Sequence, residues 1–215
     1  MLVFWKQGIV LFAVPKTGTT ALEQALLPHA SAAILDPPGQ KHVSVQQYRN
    51  RLSNFFEQRG KRPMELVAVM REPVDWLGSW YRYRSRPQLD GKPNSTSGIS
   101  FDEFVEAWLQ PKRPAFAEVG SQATFLSDVD GKCAVDRLFR YDRIDTLIGY
   151  MEDKLETRLD VPRANVSPPR PMELSPEMKA RLMQNAGAEF DLWNTLGSGA
   201  PSAAGAERSR SDPTG

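Results

Sequence analysis

Cysteine is all but missing from this chain: Cys133 stands alone among 215 residues. A single thiol excludes an internal disulfide framework and any zinc site built from several cysteines, and it predicts a reducing, cytoplasmic setting. Histidine is nearly as scarce, with only His29 and His42. Excess charge is missing too, because 27 basic side chains face 26 acidic ones for a net of +1. No global field then draws the protein to nucleic acid or to an anionic membrane, so any anion site must be local. A long hydrophobic run is also lacking. The opening MLVFWKQGIVLFAVP is apolar enough for a buried strand but too short for a membrane span. It has neither the basic start nor the small-residue cleavage site of a signal peptide, and is expected to belong to the fold. The sequons at Asn94-Ser95-Thr96 and Asn165-Val166-Ser167 then read as chance matches, since glycosylation requires secretion.

What is present is an alternation of two patterns. Residues 8–14 are apolar without alternation, as in a strand buried on both faces of a parallel sheet. After a polar loop, Ala21, Leu22, Ala25 and Leu26 recur at helical spacing up to Pro28. Residues 32–36 read as a second short strand, and Val45, Tyr48, Leu52, Phe55 and Phe56 as one face of a helix ended by Gly60. Residues 64–70 form another buried strand, and Pro73 suits the first turn of the helix that carries Trp76, Leu77, Trp80 and Tyr81. Residues 86–100 read as a surface loop. Ser100 and Glu103 make a capping box for a helix with Phe101, Phe104, Val105 and Trp108 inward. A late strand at 134–141 precedes a helix from Ile144, residues 165–171 are irregular, and Ser175-Pro176 starts one final helix. These elements predict residues 1–196 as a single α/β domain on a mainly parallel sheet, with 197–215 as a disordered tail poor in anything to bury. In such sheets ligands lie beyond the carboxyl ends of the strands, where Lys16 and Arg71 both fall.

The loop Lys16-Thr17-Gly18-Thr19-Thr20 joins a strand to a helix N-terminus, where unpaired N–H groups and the helix dipole favour an anion. Gly18 allows close approach of the backbone, Lys16 adds a charge, and three threonines offer hydroxyls. The same residues would also serve a plain capped turn, with Thr19 or Thr20 as the cap. The nucleotide-triphosphatase pattern is absent, because the lysine precedes the glycine and no glycine lies upstream at Phe12-Ala13-Val14. The strand at 64–70 ends in Arg71 where a magnesium site would want a carboxylate. Arg71 and Ser79, in REPVDWLGSWYRYR, could give a terminal phosphate a fork and a hydroxyl; pairing of Arg71 with Glu72 or Asp75 is the structural alternative.

With these two motifs in order, the chain resembles the sulfotransferases that use 3′-phosphoadenosine 5′-phosphosulfate (PAPS), in particular their bacterial and carbohydrate-type branches. PKTGTT is similar to that family's 5′-phosphosulfate loop, and REPVDWLGSWYRYR to its 3′-phosphate element. The resemblance is confined to these segments, and the C-terminal glycine-and-lysine signature of cytosolic small-molecule members is not seen. It implies a three-layer α/β/α fold like that of P-loop NTPases, and PAPS as co-substrate without a metal. By the same resemblance Lys16, Thr17, Gly18, Thr19 and Thr20 would bind the 5′ end, and Arg71 and Ser79 the 3′-phosphate. The acceptor would be a hydroxyl-bearing small molecule or carbohydrate.

Sulfuryl transfer needs a base for the acceptor hydroxyl and positive charge at the leaving phosphate. Lys16 suits the second role. His42 follows Lys41 beyond the second predicted strand and is placed first as base, Glu23 second; His29 sits at a helix end. Glu23 could equally be a surface carboxylate near a helix N-terminus. An ATP-dependent kinase and a non-catalytic nucleotide-binding module are the rival expectations.

Overall fold

A computed structural model describes residues 1–162 and 172–197. The sequon at Asn165, the segment expected to be irregular and the tail beyond residue 197 lie outside the described residues. Five strands build the sheet: β1 (Leu2–Phe4), β2 (Ile9–Leu11), β3 (Ala32–Ala33), β4 (Glu65–Met70) and β5 (Arg137–Arg140). Their spatial order is β3-β1-β2-β4-β5. β2 pairs with β4 and β4 with β5 in parallel, whereas β1 runs antiparallel to both β2 and β3. The sheet is therefore mixed, which corrects the expectation of a mainly parallel one. The cause lies in the first eleven residues, which fold back on themselves at Gly8, whose φ of 67° and N–H to Trp5 O close the reversal.

Alternation across the strands sends side chains to two apolar clusters. Val3, Val10, Leu66, Ala68, Met70 and Leu138 face one side, and Leu2, Phe4, Ile9, Leu11, Val67, Val69 and Phe139 the other. The second cluster is completed by α1 (Thr19–Leu26), through Leu22 and Leu26, and by α8 (Ile144–Leu155), through Leu147 and Met151. The first is completed by Val45 and Tyr48 of α3 (Val45–Arg51), Leu126 of α7 (Gln122–Leu126) and Trp193 of α10 (Gly187–Thr195). A third cluster joins α5 (Pro73–Arg84), α6 (Phe101–Leu109) and α9 (Pro176–Asn185) through Trp76, Tyr81, Phe104, Trp108 and Leu182. Short helices α2 (Pro38–Lys41) and α4 (Ser53–Phe56) fill the connection from β3 to β4.

The helix starts follow their local chemistry. Ser100 accepts a hydrogen bond from Glu103 N at 3.2 Å and its own N–H reaches Glu103 Oε2 at 2.6 Å, the reciprocal box expected. Ser44 and Gln47 make a second box at α3. The helix expected over 45–56 divides at Leu52, and the final one divides at Ala186 (φ −115°, ψ 35°). Among the described residues no helix is long and apolar enough to cross a membrane. Because β2 and β4 are parallel, the segments that leave their carboxyl ends emerge side by side.

Candidate functional site

The loop after β2 is shaped by two residues of positive φ, Lys16 at 67° and Gly18 at 72°. Gly18, not Thr19 or Thr20, occupies the cap position of α1, and no side chain caps that helix. The first intrahelical bond is that of Ala21 N to Gly18 O at 3.1 Å, so the N–H groups of Thr19 and Thr20 precede it and point from the helix start. A left-handed lysine is uncommon and costs on the order of 1 kcal/mol, a strain of the kind that collects at ligand-binding turns. Glycine suits position 18 on two counts, its positive φ and the close approach of Tyr141, whose Cε2 lies 3.1 Å from where a Cβ would stand.

Of the side chains of this loop, Thr17 and Lys16 are turned to the protein, Thr19 is half-buried and Thr20 is exposed. The buried Thr17 hydroxyl donates to Val14 O at 2.8 Å, so its oxygen serves the turn. Lys16 lays its ammonium over the rings of Tyr83, 3.1 Å from the centroid, and Trp80, at 4.4 Å. Burial first, then Arg86, Arg84 and Arg71, pull the Lys16 pKa down to about 7. The neighbouring charges that act most on this ammonium are cationic, and at the same mouth Asp75 is paired with Arg71.

The second motif meets the first here. Arg71, the residue after β4, donates from Nη1 to Lys16 O at 3.2 Å, and Trp76 Nε1 donates to Pro15 O at 2.9 Å. The Arg71 guanidinium also forks onto Asp75, with Nε to Oδ2 at 2.6 Å and Nη2 to Oδ1 at 2.9 Å. Glu72 instead caps α5, its carboxylate accepting from Asp75 N at 2.7 Å. Ser79 is buried in α5 at 7% exposure, one turn beyond Asp75. Tyr141 links the halves, its ring lying against Gly18 and 4.6 Å beneath the Arg71 guanidinium.

The two base candidates share one neighbourhood. His42 Nδ1 lies 2.6 Å from Ala13 O; a carbonyl only accepts, so Nδ1 carries the proton and Nε2 is left as the basic nitrogen. Burial is the main cause that lowers the His42 pKa, which keeps the ring neutral near pH 7. Glu23 pairs through Oε2 with Lys41 Nζ at 2.6 Å, both side chains largely buried. Glu23 Oε1 is buried without a hydrogen-bond partner among the described residues, and the carboxylate lines a small cavity with Thr17, Thr19, Phe12 and Ala13. His29 lies exposed in the 3₁₀ turn that follows α1, away from any role suggested here.

Sequence reasoning named Lys16 to Thr20, Arg71, Ser79, Glu23 and His42; all but Ser79, which is buried in α5, gather around the end of β2 and the start of α1. It did not place Trp80 and Tyr83 at the site, where their rings hold Lys16. It missed Tyr141 as the link and Gln122 as a partner of Arg71. Tyr141, the residue after β5, stands like Arg71 beyond a strand's carboxyl end, a signal the sequence does carry; nothing in the sequence marks Gln122. Arg140 and Asp142 form an ion pair at 2.7 Å. In comparison with known proteins, the chain matches no family model, no curated protein and no solved structure.

Proposed function

We propose that this chain is a sulfotransferase that moves a sulfuryl group from PAPS to an acceptor hydroxyl, of a carbohydrate or small molecule, on a P-loop-like three-layer α/β/α fold. The observation that carries the reading is the hydrogen bond of Arg71 Nη1 to Lys16 O, which joins two motifs 55 residues apart into one mouth. Four cations gather at that mouth, Lys16, Arg71, Arg84 and Arg86, which suits a bisphosphate; among the described residues Lys16 makes no ion pair, and Asp75 on Arg71 is the carboxylate that a phosphate would displace. The loop and the start of α1 suit the 5′ end, and the Arg71 fork, with Ser79 behind it, the 3′-phosphate.

On this reading the acceptor oxygen bonds to sulfur while the bond from sulfur to the 5′-phosphate oxygen breaks. The acceptor proton passes to His42 Nε2, and the electron pair of the broken bond stays on the departing phosphate, where Lys16 offsets the charge. Lys16 reaches that position by leaving the Trp80 and Tyr83 rings. Glu23 is the second base candidate, but its ion pair with Lys41 favours a role in holding that side of the site. The reading uses no metal ion and no nucleic acid partner, and it takes the cytoplasm as its setting.

The test is calorimetric titration with adenosine 3′,5′-bisphosphate beside ATP, with and without magnesium. Metal-independent binding of the bisphosphate is expected. A preference for magnesium ATP would replace this reading with a kinase, and binding of neither would leave a module without the cofactor site.

A further inference from the structure

Arg71 lies one residue past the last paired position of β4, Met70 opposite Arg140. A backbone N–H and C=O that run beyond a ladder into a half-buried position need partners of another kind. At Arg71 both find the same side chain. Gln122 Oε1 accepts from Arg71 N at 2.9 Å, and Gln122 Nε2 donates to Arg71 O at 2.9 Å. The orientation of the amide is fixed by these partners, since one can only donate and the other only accept. A primary amide used this way reproduces the pair of bonds that a neighbouring strand would supply.

Gln122 is fully buried, at 0% exposure. An apolar side chain would be easier to bury there unless the two bonds were needed. The segment that delivers it is anchored in turn. Ser121 caps α7 and donates from Oγ to Glu189 Oε1 at 2.6 Å, and Ala123 N donates to the same oxygen at 3.1 Å. Glu189 belongs to α10, is 3% exposed, and burial pushes its carboxyl pKa upward. A chain of buried polar contacts thus runs from the last described helix, through the start of α7, to the backbone of Arg71. None of it touches the guanidinium, whose own hydrogen bonds among the described residues go to Asp75 and Lys16 O.

We infer that Gln122 is a positioning residue of the bisphosphate site, its double hydrogen bond to the Arg71 backbone setting where the guanidinium fork stands and so how well the site tells a 3′-phosphate from none. The inference rests on the bisphosphate reading above. Its physical basis is leverage: a backbone released by a few tenths of an ångström carries that error to the end of a long side chain, and ligand geometry tolerates roughly 0.5 Å.

The experiment titrates wild type and Gln122→Met, which keeps the side-chain length and removes both bonds, with adenosine 3′,5′-bisphosphate and with 5′-AMP. Gln122→Met is expected to lose about tenfold in affinity for the bisphosphate and less than about twofold for 5′-AMP, with the 5′ loop intact. Equal losses for both ligands would assign Gln122 a merely structural role and overturn the inference, as would unchanged discrimination. A wild type that binds neither ligand, or both alike, would overturn the bisphosphate reading itself and this inference with it. Should Gln122→Met fail to fold, Gln122→Asn carries the test: its shorter amide can hold one of the two groups, and a selective loss of about threefold is expected.

Discussion

The segments that leave β2 and β4 meet at one mouth, yet they are held in opposite ways. After β2 the side chains are committed to the protein: Thr17 bonds Val14 O and Lys16 lies on Tyr83 and Trp80. What faces outward is the backbone at Gly18 and, in the first turn of α1, the exposed Thr20. After β4 the backbone is committed, both groups of Arg71 being held by Gln122, and the group left to meet an anion is a guanidinium that is 13% exposed and forked onto Asp75. An anion at the first segment would be read by amides that survive most side-chain replacements. At the second it would depend on one guanidinium. The contrast shows that two equally basic motifs in a sequence can be unequal in their sensitivity to mutation.

The largest effect that separates them is expected from Arg71→Ala. Removing a bidentate, charge-assisted contact should weaken adenosine 3′,5′-bisphosphate by about a hundredfold and leave 5′-AMP nearly unchanged in titration. Gly18→Ala attacks the other segment through its backbone. The left-handed φ of 72° and the approach of Tyr141 should cost about 1–2 kcal/mol of stability, read as a lower denaturant midpoint, and weaken both nucleotides together. Lys16→Met should weaken the bisphosphate by about tenfold, and its pH profile is the sharper readout. With a free-state pKa of about 7, raised when an anion binds, wild-type affinity is full below pH 7 and falls as pH rises above it, by up to about tenfold per unit. In Lys16→Met that slope should vanish. Asp75→Asn releases the fork from its carboxylate and should tighten the 3′-phosphate by about threefold. The smallest effect on binding is expected from Thr17→Val, which should leave both affinities unchanged and lower stability by about 1 kcal/mol, because the hydroxyl serves Val14 O.

The parts of this arrangement that could be read in the sequence are those with strong local chemistry. The capping box of Ser100 and Glu103, Pro73 at the start of α5 and the apolar run at 64–70 each carry their signal within a few residues. The N-terminal hairpin could not be read so easily. β1 and β2 are three residues each, apolar throughout, and joined at Gly8 without the Asn-Gly or Pro that usually announces a reversal, so they merged into one stretch. That merger is why a parallel sheet was expected where half the pairings are antiparallel. The break at Ala186 was written in Asn185 and Gly187, but the apolar periodicity continues across it from Leu182 to Trp193. At the site, the residue types at Lys16 and Arg71 were visible because they follow strands. Their partners, Tyr141 and Gln122, lie 70 and 51 residues from Arg71, and only the tertiary fold brings them there.

The most direct test of a single two-part site is a crystal structure of the protein with adenosine 3′,5′-bisphosphate bound. The 5′-phosphate is expected against the N–H groups of residues 18–20, with Lys16 withdrawn from Tyr83, and the 3′-phosphate on the Arg71 fork in place of Asp75. A nucleotide seated elsewhere, with Arg71 still paired to Asp75 and Lys16 still on the rings, would contradict the two-part site.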